Sequence, residues 1–304
     1  MKRILEIFSS IIIFAALASA ISVFLIYDTV FNKGESVVRS PVFVALAIGL
    51  FINILSCVIS RISGKTRFPV YFYLVHWGIL IIIAGFVLSS FYAFQGDILL
   101  LKGQESNIAQ GVDGVYKLPF RIRLDSFSIE YYLTPEPEIY VSGDKNPFPV
   151  VSGKSISVGN KLCRIEKFLP DFVLNEKNEA FSRTAFFNNP AVRISCVSGK
   201  KTESYWIFAS IGGHGGASPF LLKIKNGEVK NFISAFTILY RGKEYRGATS
   251  VNSPFSFEGY KIYQTSYEPS MGEASLLTVK KDKWVWLVLF GFAVLAAGAV
   301  VWLF

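Results

Sequence analysis

The side chains best suited to chemistry are few. They are two histidines, His76 and His214, and three cysteines, Cys57, Cys163 and Cys196. His76 lies in Phe68-Pro-Val-Tyr-Phe-Tyr-Leu-Val-His-Trp-Gly-Ile-Leu-Ile-Ile-Ile-Ala-Gly-Phe-Val-Leu-Ser-Ser-Phe-Tyr92, which carries no Asp, Glu, Lys or Arg and is long enough to cross a bilayer. An imidazole inside a spanning helix is costly without a partner, so it is a functional-site candidate by default. The bland alternative is a histidine that hydrogen-bonds another helix for structure alone. Haem iron takes one or two axial ligands, often His. A single intramembrane imidazole therefore reads as half of a two-ligand site, with the second ligand on another chain.

The other four residues carry weaker signals. His214 sits in Ile211-Gly-Gly-His-Gly-Gly216, which has neither the Lys-Ser/Thr of a phosphate loop nor dinucleotide-fingerprint spacing. It reads as an exposed loop histidine, with a transient ligand or substrate contact as the alternative. The cysteines form no C-x-x-C pair and no zinc pattern. Cys57 follows Asn53 by four residues on one helical face, where a packing hydrogen bond explains Asn53 better than a ligand role. Cys163 and Cys196 fall in strand-like segments and are either a disulfide or two buried thiols. No G-x-S-x-G, H-E-x-x-H or P-loop is present, which argues against hydrolysis and nucleotide-driven work, and no catalytic residue is assigned. The net charge of +9 is spread over mixed signs with no basic, aromatic-interleaved stripe, so no nucleic-acid partner is expected.

These residues are positioned by four apolar runs. The chain has 304 residues, 52% of them hydrophobic, and the apolar residues cluster. Spanning helices are expected at about 4–27, 41–60, 69–94 and 284–304. The first run is too long for a signal-peptide core and reads as an uncleaved helix. The expected domains are 1–95 (three helices), 96–283 (a β-rich extracytoplasmic domain) and 284–304 (a fourth helix). Lys2, Arg3, Arg61, Lys65 and Arg67 put the N-terminus and the loop near residue 65 in the cytoplasm. His76 then belongs to the inner half of the membrane, and both termini are cytoplasmic.

Alternation of apolar and polar residues predicts strands at 120–124, 161–168, 191–197, 204–208, 221–225 and 259–265, giving a sandwich or open barrel. Asn226-Gly227 reads as a hairpin turn. Pro135, Pro137, Pro147 and Pro149 make 134–149 a loop. In the third run Gly78, Gly85 and Ser89 form a small-residue stripe, and Gly291 and Gly298 form another in the fourth. Both mark close helix packing.

Three features together carry a resemblance. They are the three-plus-one helix layout, the run Phe94-Gln-Gly-Asp-Ile-Leu-Leu-Leu-Lys-Gly-Gln-Glu105 with Leu118-Pro-Phe-Arg-Ile-Arg-Leu-Asp-Ser-Phe-Ser-Ile-Glu-Tyr-Tyr132, and Gly259-Tyr-Lys-Ile-Tyr-Gln-Thr-Ser-Tyr267 followed by Leu277-Thr-Val-Lys-Lys-Asp282. In these the chain resembles the ResB (CcsB) family of System II cytochrome c biogenesis. The resemblance implies a non-catalytic or shared-site subunit of a holocytochrome c synthase in the cell membrane. It implies haem b as the transported substrate and a CcsA/ResC-type membrane partner. Haem would move from the cytoplasmic side to the outer face. There its vinyl groups join the thiols of an apocytochrome c Cys-x-x-Cys-His motif, with a thioredoxin-like protein keeping those thiols reduced. By position His76 corresponds to the family's third-helix histidine, an axial ligand to haem iron. With the sequence ending at Phe304, either the partner is expected to be a separate polypeptide or this sequence is a piece of a longer one. The competing reading is a scaffold or chaperone that never touches haem and stabilises the partner or presents apocytochrome.

Overall fold

The computed structural model describes residues 7–31, 40–62, 68–112, 114–144, 146–159, 161–199, 201–209 and 219–304. His214 lies outside them. The chain forms two compact units, one of 1–95 with 258–260 and 280–304, the other of 96–257 with 261–279.

The first unit contains four helices: α1 (Ile11–Phe31), α2 (Pro41–Ile62), α3 (Val70–Tyr92) and α4 (Val285–Leu303). All four are long and apolar enough to cross a membrane. Helix α1 departs from expectation at both ends. Residues 4–6 lie outside the described part, and Ile7-Phe8 is separated from α1 by a break at Ser9-Ser10. Ser10 Oγ accepts from Ile12 N at 3.2 Å, so a serine at the break starts a new helix. Ser22 Oγ and Thr29 Oγ1 each donate to the carbonyl one turn back, at 2.9 Å, and the helix continues to Phe31. Pro69 sits at the N-cap of α3 with φ −66°, where its missing N–H costs nothing.

The two small-residue stripes meet. A Cβ on Gly78 would lie 2.7 Å from Leu295 N, and one on Gly85 would lie 2.8 Å from Val288 Cγ2. From the other side, a Cβ on Gly291 would lie 2.8 Å from Ile82 N, and one on Gly298 would lie 2.9 Å from Val75 N. The partners run in opposite order along the two helices, so α3 and α4 are antiparallel at backbone contact. Only glycine permits that approach. Ser89 Oγ donates to Asp282 Oδ1 at 3.0 Å, and the same oxygen accepts from Trp284 N at 2.8 Å, just before α4 begins. On its other side α3 meets α2 through Leu80 against Ile54 and Val58, all buried. Helix α1 reaches α2 through Leu17 beneath Gly49 and through Phe24 beside Phe43.

The second unit is built from strands. Those in the first half are β1 (Phe94–Leu101), β2 (Glu105–Gly111), β3 (Gly114–Tyr131), β4 (Glu136–Val141), β5 (Phe148–Pro149), β6 (Ser155–Val158), β7 (Lys161–Leu169) and β8 (Phe172–Leu174). The rest are β9 (Ala180–Ser182), β10 (Ala191–Ser198), β11 (Lys201–Phe208), β12 (Phe220–Lys225), β13 (Val229–Tyr240), β14 (Lys243–Ser250), β15 (Phe255–Phe257), β16 (Tyr260–Tyr267) and β17 (Ala274–Lys281). An eight-stranded sheet has the order β14-β13-β3-β2-β1-β17-β16-β15. A four-stranded sheet, β11-β10-β7-β6, and a three-stranded sheet, β12-β4-β5, share one apolar core that includes Ile139, Ile165, Ile194 and Leu222. Strands β8 and β9 form a small hairpin.

Cys163 and Cys196 are direct register partners across β7 and β10, with Cα atoms 3.9 Å apart, and are joined as a disulfide. Buried Asp171 pairs with Arg183 at 3.2 Å and accepts from Thr184 Oγ1 at 2.9 Å. Arg183 also donates to the carbonyls of Pro269 and Ser270, which ties the β8–β9 region to the turn at 269–271.

Two expectations need correction. Asn226 adopts φ 57°, so the turn exists, but β12 pairs with β4 and β13 pairs with β3 and β14. The turn passes the chain from one sheet to another and does not close a hairpin, because both strands have longer-range partners. The segment 134–149 is not all loop, since β4 occupies 136–141. Pro137 lies near the start of β4, and its carbonyl accepts from Val150 N. Proline is tolerated at the start of a strand, where no ladder N–H is lost.

Candidate functional site

His76 is half-buried two turns into α3. Its Nδ1 is 2.7 Å from the Phe72 carbonyl, and its ring lies on the Phe72 ring with centroids 4.0 Å apart. A carbonyl can only accept, so Nδ1 carries the proton and, in the neutral ring, the lone pair is on Nε2. Metal-bound histidines are held the same way, with the far nitrogen donating to a carbonyl or carboxylate.

His76 lines a partly enclosed cavity of about 370 Å³ between α1, α2 and α3, in the size range of small-molecule sites. Helix α2 contributes Asn53, Cys57 and Arg61, spaced by four and therefore on one face. Asn53 is buried, and its Nδ2 donates to Phe8 O at 2.5 Å and Ser10 O at 3.1 Å. It thus ties α2 to the two carbonyls that flank the break before α1. That is the packing role expected of Asn53, and it also holds one wall of the cavity. Cys57 is a free, half-buried thiol. The Arg61 guanidinium lies over the Phe68 ring, 4.8 Å from its centroid. Ile11, Phe14, Ile54 and Ile79 complete an apolar lining. No Asp or Glu lines the cavity among the described residues.

The chamber therefore offers one nitrogen ligand, one cation and an apolar wall. Those are the groups that suit a flat, apolar, metal-bearing molecule with an anionic edge. The same described residues contain no cluster of three His, Cys, Asp or Glu that could hold a bare metal ion. From the sequence, Arg61 had been read only as a topology signal. The repeat Asn53-x₃-Cys57-x₃-Arg61 was the available sign that it shares a face with the other two.

The β unit has a cavity of its own, about 560 Å³, lined by Tyr131, Phe187, Asn188, Glu228 and Tyr267 among others. Burial holds the Tyr131 and Tyr267 phenols above the ordinary tyrosine value. Tyr267 Oη donates to Asn188 Oδ1 at 3.3 Å, while Asn188 Nδ2 is buried without a partner. Among the described residues no histidine or cysteine lines it.

Four candidate membrane helices with a β-rich domain following the third define a multi-pass membrane protein with a large insertion. Residues 70–144 match the model of the ResB-like family, a segment that begins with α3, contains His76 and runs through β4. This agrees with the resemblance to ResB/CcsB and points, at the level of the family, to cytochrome c biogenesis. No curated protein matches the chain.

Proposed function

We propose that the chain is the ResB-like subunit of a haem-delivering cytochrome c synthase and that His76 is an axial ligand to haem iron within the membrane. The observation that carries this is the state of His76. Its Nδ1 is committed to the Phe72 carbonyl, and Nε2 is the nitrogen left for a metal in a chamber that no carboxylate lines among the described residues. The ResB-like match covers the same helix. The basic residues near 61–67 favour a cytoplasmic loop, which puts the chamber in the inner half of the bilayer and the β unit outside. In this reading Ile11, Phe14, Ile54 and Ile79 shelter the macrocycle from water. Asn53 holds the wall that α1 contributes, and Phe72 keeps the imidazole in the tautomer that can bind iron. A CcsA/ResC-type partner supplies the second ligand and the outer haem site. The β unit faces apocytochrome c, and a thioredoxin-like protein keeps the apocytochrome thiols reduced.

The test is an absorption spectrum of the detergent-purified chain, alone and co-expressed with its partner. The expected result is a reduced haem spectrum that needs the partner and is lost in His76→Ala, with recovery on adding imidazole. Unchanged haem retention in His76→Ala would refute the ligand role. His76→Gln separates this from the scaffold reading: loss of partner protein favours a scaffold, and intact partner without haem favours the ligand.

A further inference from the structure

We infer that Arg61 is the anion-binding group of the chamber and pairs with a propionate carboxylate of the haem whose iron His76 takes. This rests on the haem function proposed above.

Arg61 lies in the last turn of α2 and His76 about two turns into α3, joined by a short connection, so both belong to the same end of their helices. Six residues of helix separate His76 from the start of α3, roughly 9 Å of rise. An arginine side chain at the helix end can therefore reach the edge of a planar ligand whose centre lies at the level of His76. The chamber wall between them is mostly apolar, and among the described residues lining it Arg61 has no carboxylate beside it. Arg61 is exposed and also lines the chamber, so its guanidinium is accessible to an anionic group of a ligand bound there. The guanidinium lies over the Phe68 ring, which holds its plane and leaves its N–H fork to bind. The planar fork matches a carboxylate with two parallel hydrogen bonds, and a lysine would not reproduce that.

An iron dicarboxylate porphyrin is thus bound at two points, a metal–nitrogen bond and an anion–guanidinium pair. The pair also sets which edge of the macrocycle points toward the C-terminal end of α2. A phosphate from an anionic lipid headgroup offers Arg61 similar chemistry, so the experiment must separate the two.

The full chain is reconstituted with its co-expressed membrane partner, which supplies the second axial ligand, in phosphatidylcholine nanodiscs without added imidazole. It is titrated with reduced haem and with haem dimethyl ester, whose propionates carry no charge. The wild type is expected to bind the diacid about tenfold more tightly than the ester, the factor that corresponds to about 1.4 kcal/mol. Arg61→Gln removes that preference by weakening the diacid alone, and Arg61→Lys keeps part of it. His76→Ala weakens both ligands and leaves the preference intact, which distinguishes failure of the iron-ligand reading from failure of this one. Equal binding of diacid and ester by the wild type would overturn the assignment, as would an Arg61→Gln effect of the same size on both. If the wild type shows no preference and Arg61→Gln instead reduces co-purifying phosphatidylglycerol, Arg61 serves a lipid headgroup. If neither porphyrin binds any variant, the proposal falls together with the haem reading.

Discussion

The helical unit and the β unit are stabilised in different ways. In the β unit large apolar side chains fill the core, Phe120, Phe236, Leu100 and Ile122 among them, and polar groups inside are paired apart from Asn188 Nδ2. Asp171 has Arg183 and Thr184, Ser234 and Ser275 share Gln264, and Cys163 is bonded to Cys196. Water is the reference solvent for these contacts, so burial of apolar area is itself stabilising. In the helical unit nearly every outward residue is apolar, and lipid gives no such driving force. The fit between helices must come from close approach and a few hydrogen bonds. Helix α3 illustrates both limits. Its glycine side is in backbone contact with α4, while its His76 side borders an open chamber. Close packing and the proposed ligand binding thus fall on opposite sides of one helix.

Filling the glycine seam should break this contrast most severely. Gly78→Leu puts a side chain where a single Cβ already meets Leu295 N at 2.7 Å. The cost should be at or above the upper end of overpacking penalties, about 3 kcal/mol. Hydrogen exchange should show α3 and α4 losing protection while the β unit keeps its own. Equal loss in both units would mean that they do not fold separately.

The converse change acts on the β unit. Asp171→Ala leaves the half-buried Arg183 without its carboxylate and should cost about 2 kcal/mol, within the range for hydrogen bonds to a charged group. A thermal melt should show the β-sheet signal shifting to lower temperature, and His76-dependent haem retention should persist. Loss of haem in this variant would join the two units functionally.

The smallest effect is a titration. Hydrogen bonds from Ser270 Oγ and Ser270 N hold the Glu268 carboxyl below its ordinary value. Because the folded-state pKa is depressed, the stability it contributes is present above the unfolded-state pKa and is lost as pH falls through the folded one. Ser270→Ala should raise the Glu268 pKa toward the usual glutamate value, read by NMR titration of the side-chain carboxyl. The acid-side slope of β-unit stability should flatten slightly, while the helical unit is unaffected. An unmoved titration would show that the backbone N–H alone sets the shift.

Much of this architecture was legible in the residues. Spanning helices announce themselves because a bilayer requires about twenty apolar residues in a row, and strands do so because a half-buried sheet alternates. The glycine stripes also announced close packing, since nothing else in a helix permits backbones to touch. Strand partners were not legible. Asn226-Gly227 looks like a hairpin because local turn chemistry is all that a local sequence contains, while the choice of β4 and β3 as partners depends on residues far away in the chain. Segment 134–149 was misread for the same reason: its prolines were visible, but the strand that β12 pairs with was not.

The sequence by itself determined the membrane class, the large insertion, the lone intramembrane imidazole and the glycine faces, because each follows from composition or period along one segment. Only the tertiary structure decided that the α3 stripe meets the α4 stripe and that Cys163 faces Cys196. The same holds for the grouping of Asn53, Cys57 and Arg61 with His76 around one chamber. Those are relations between segments, and their energies come from the fit of surfaces that meet only after the chain has folded.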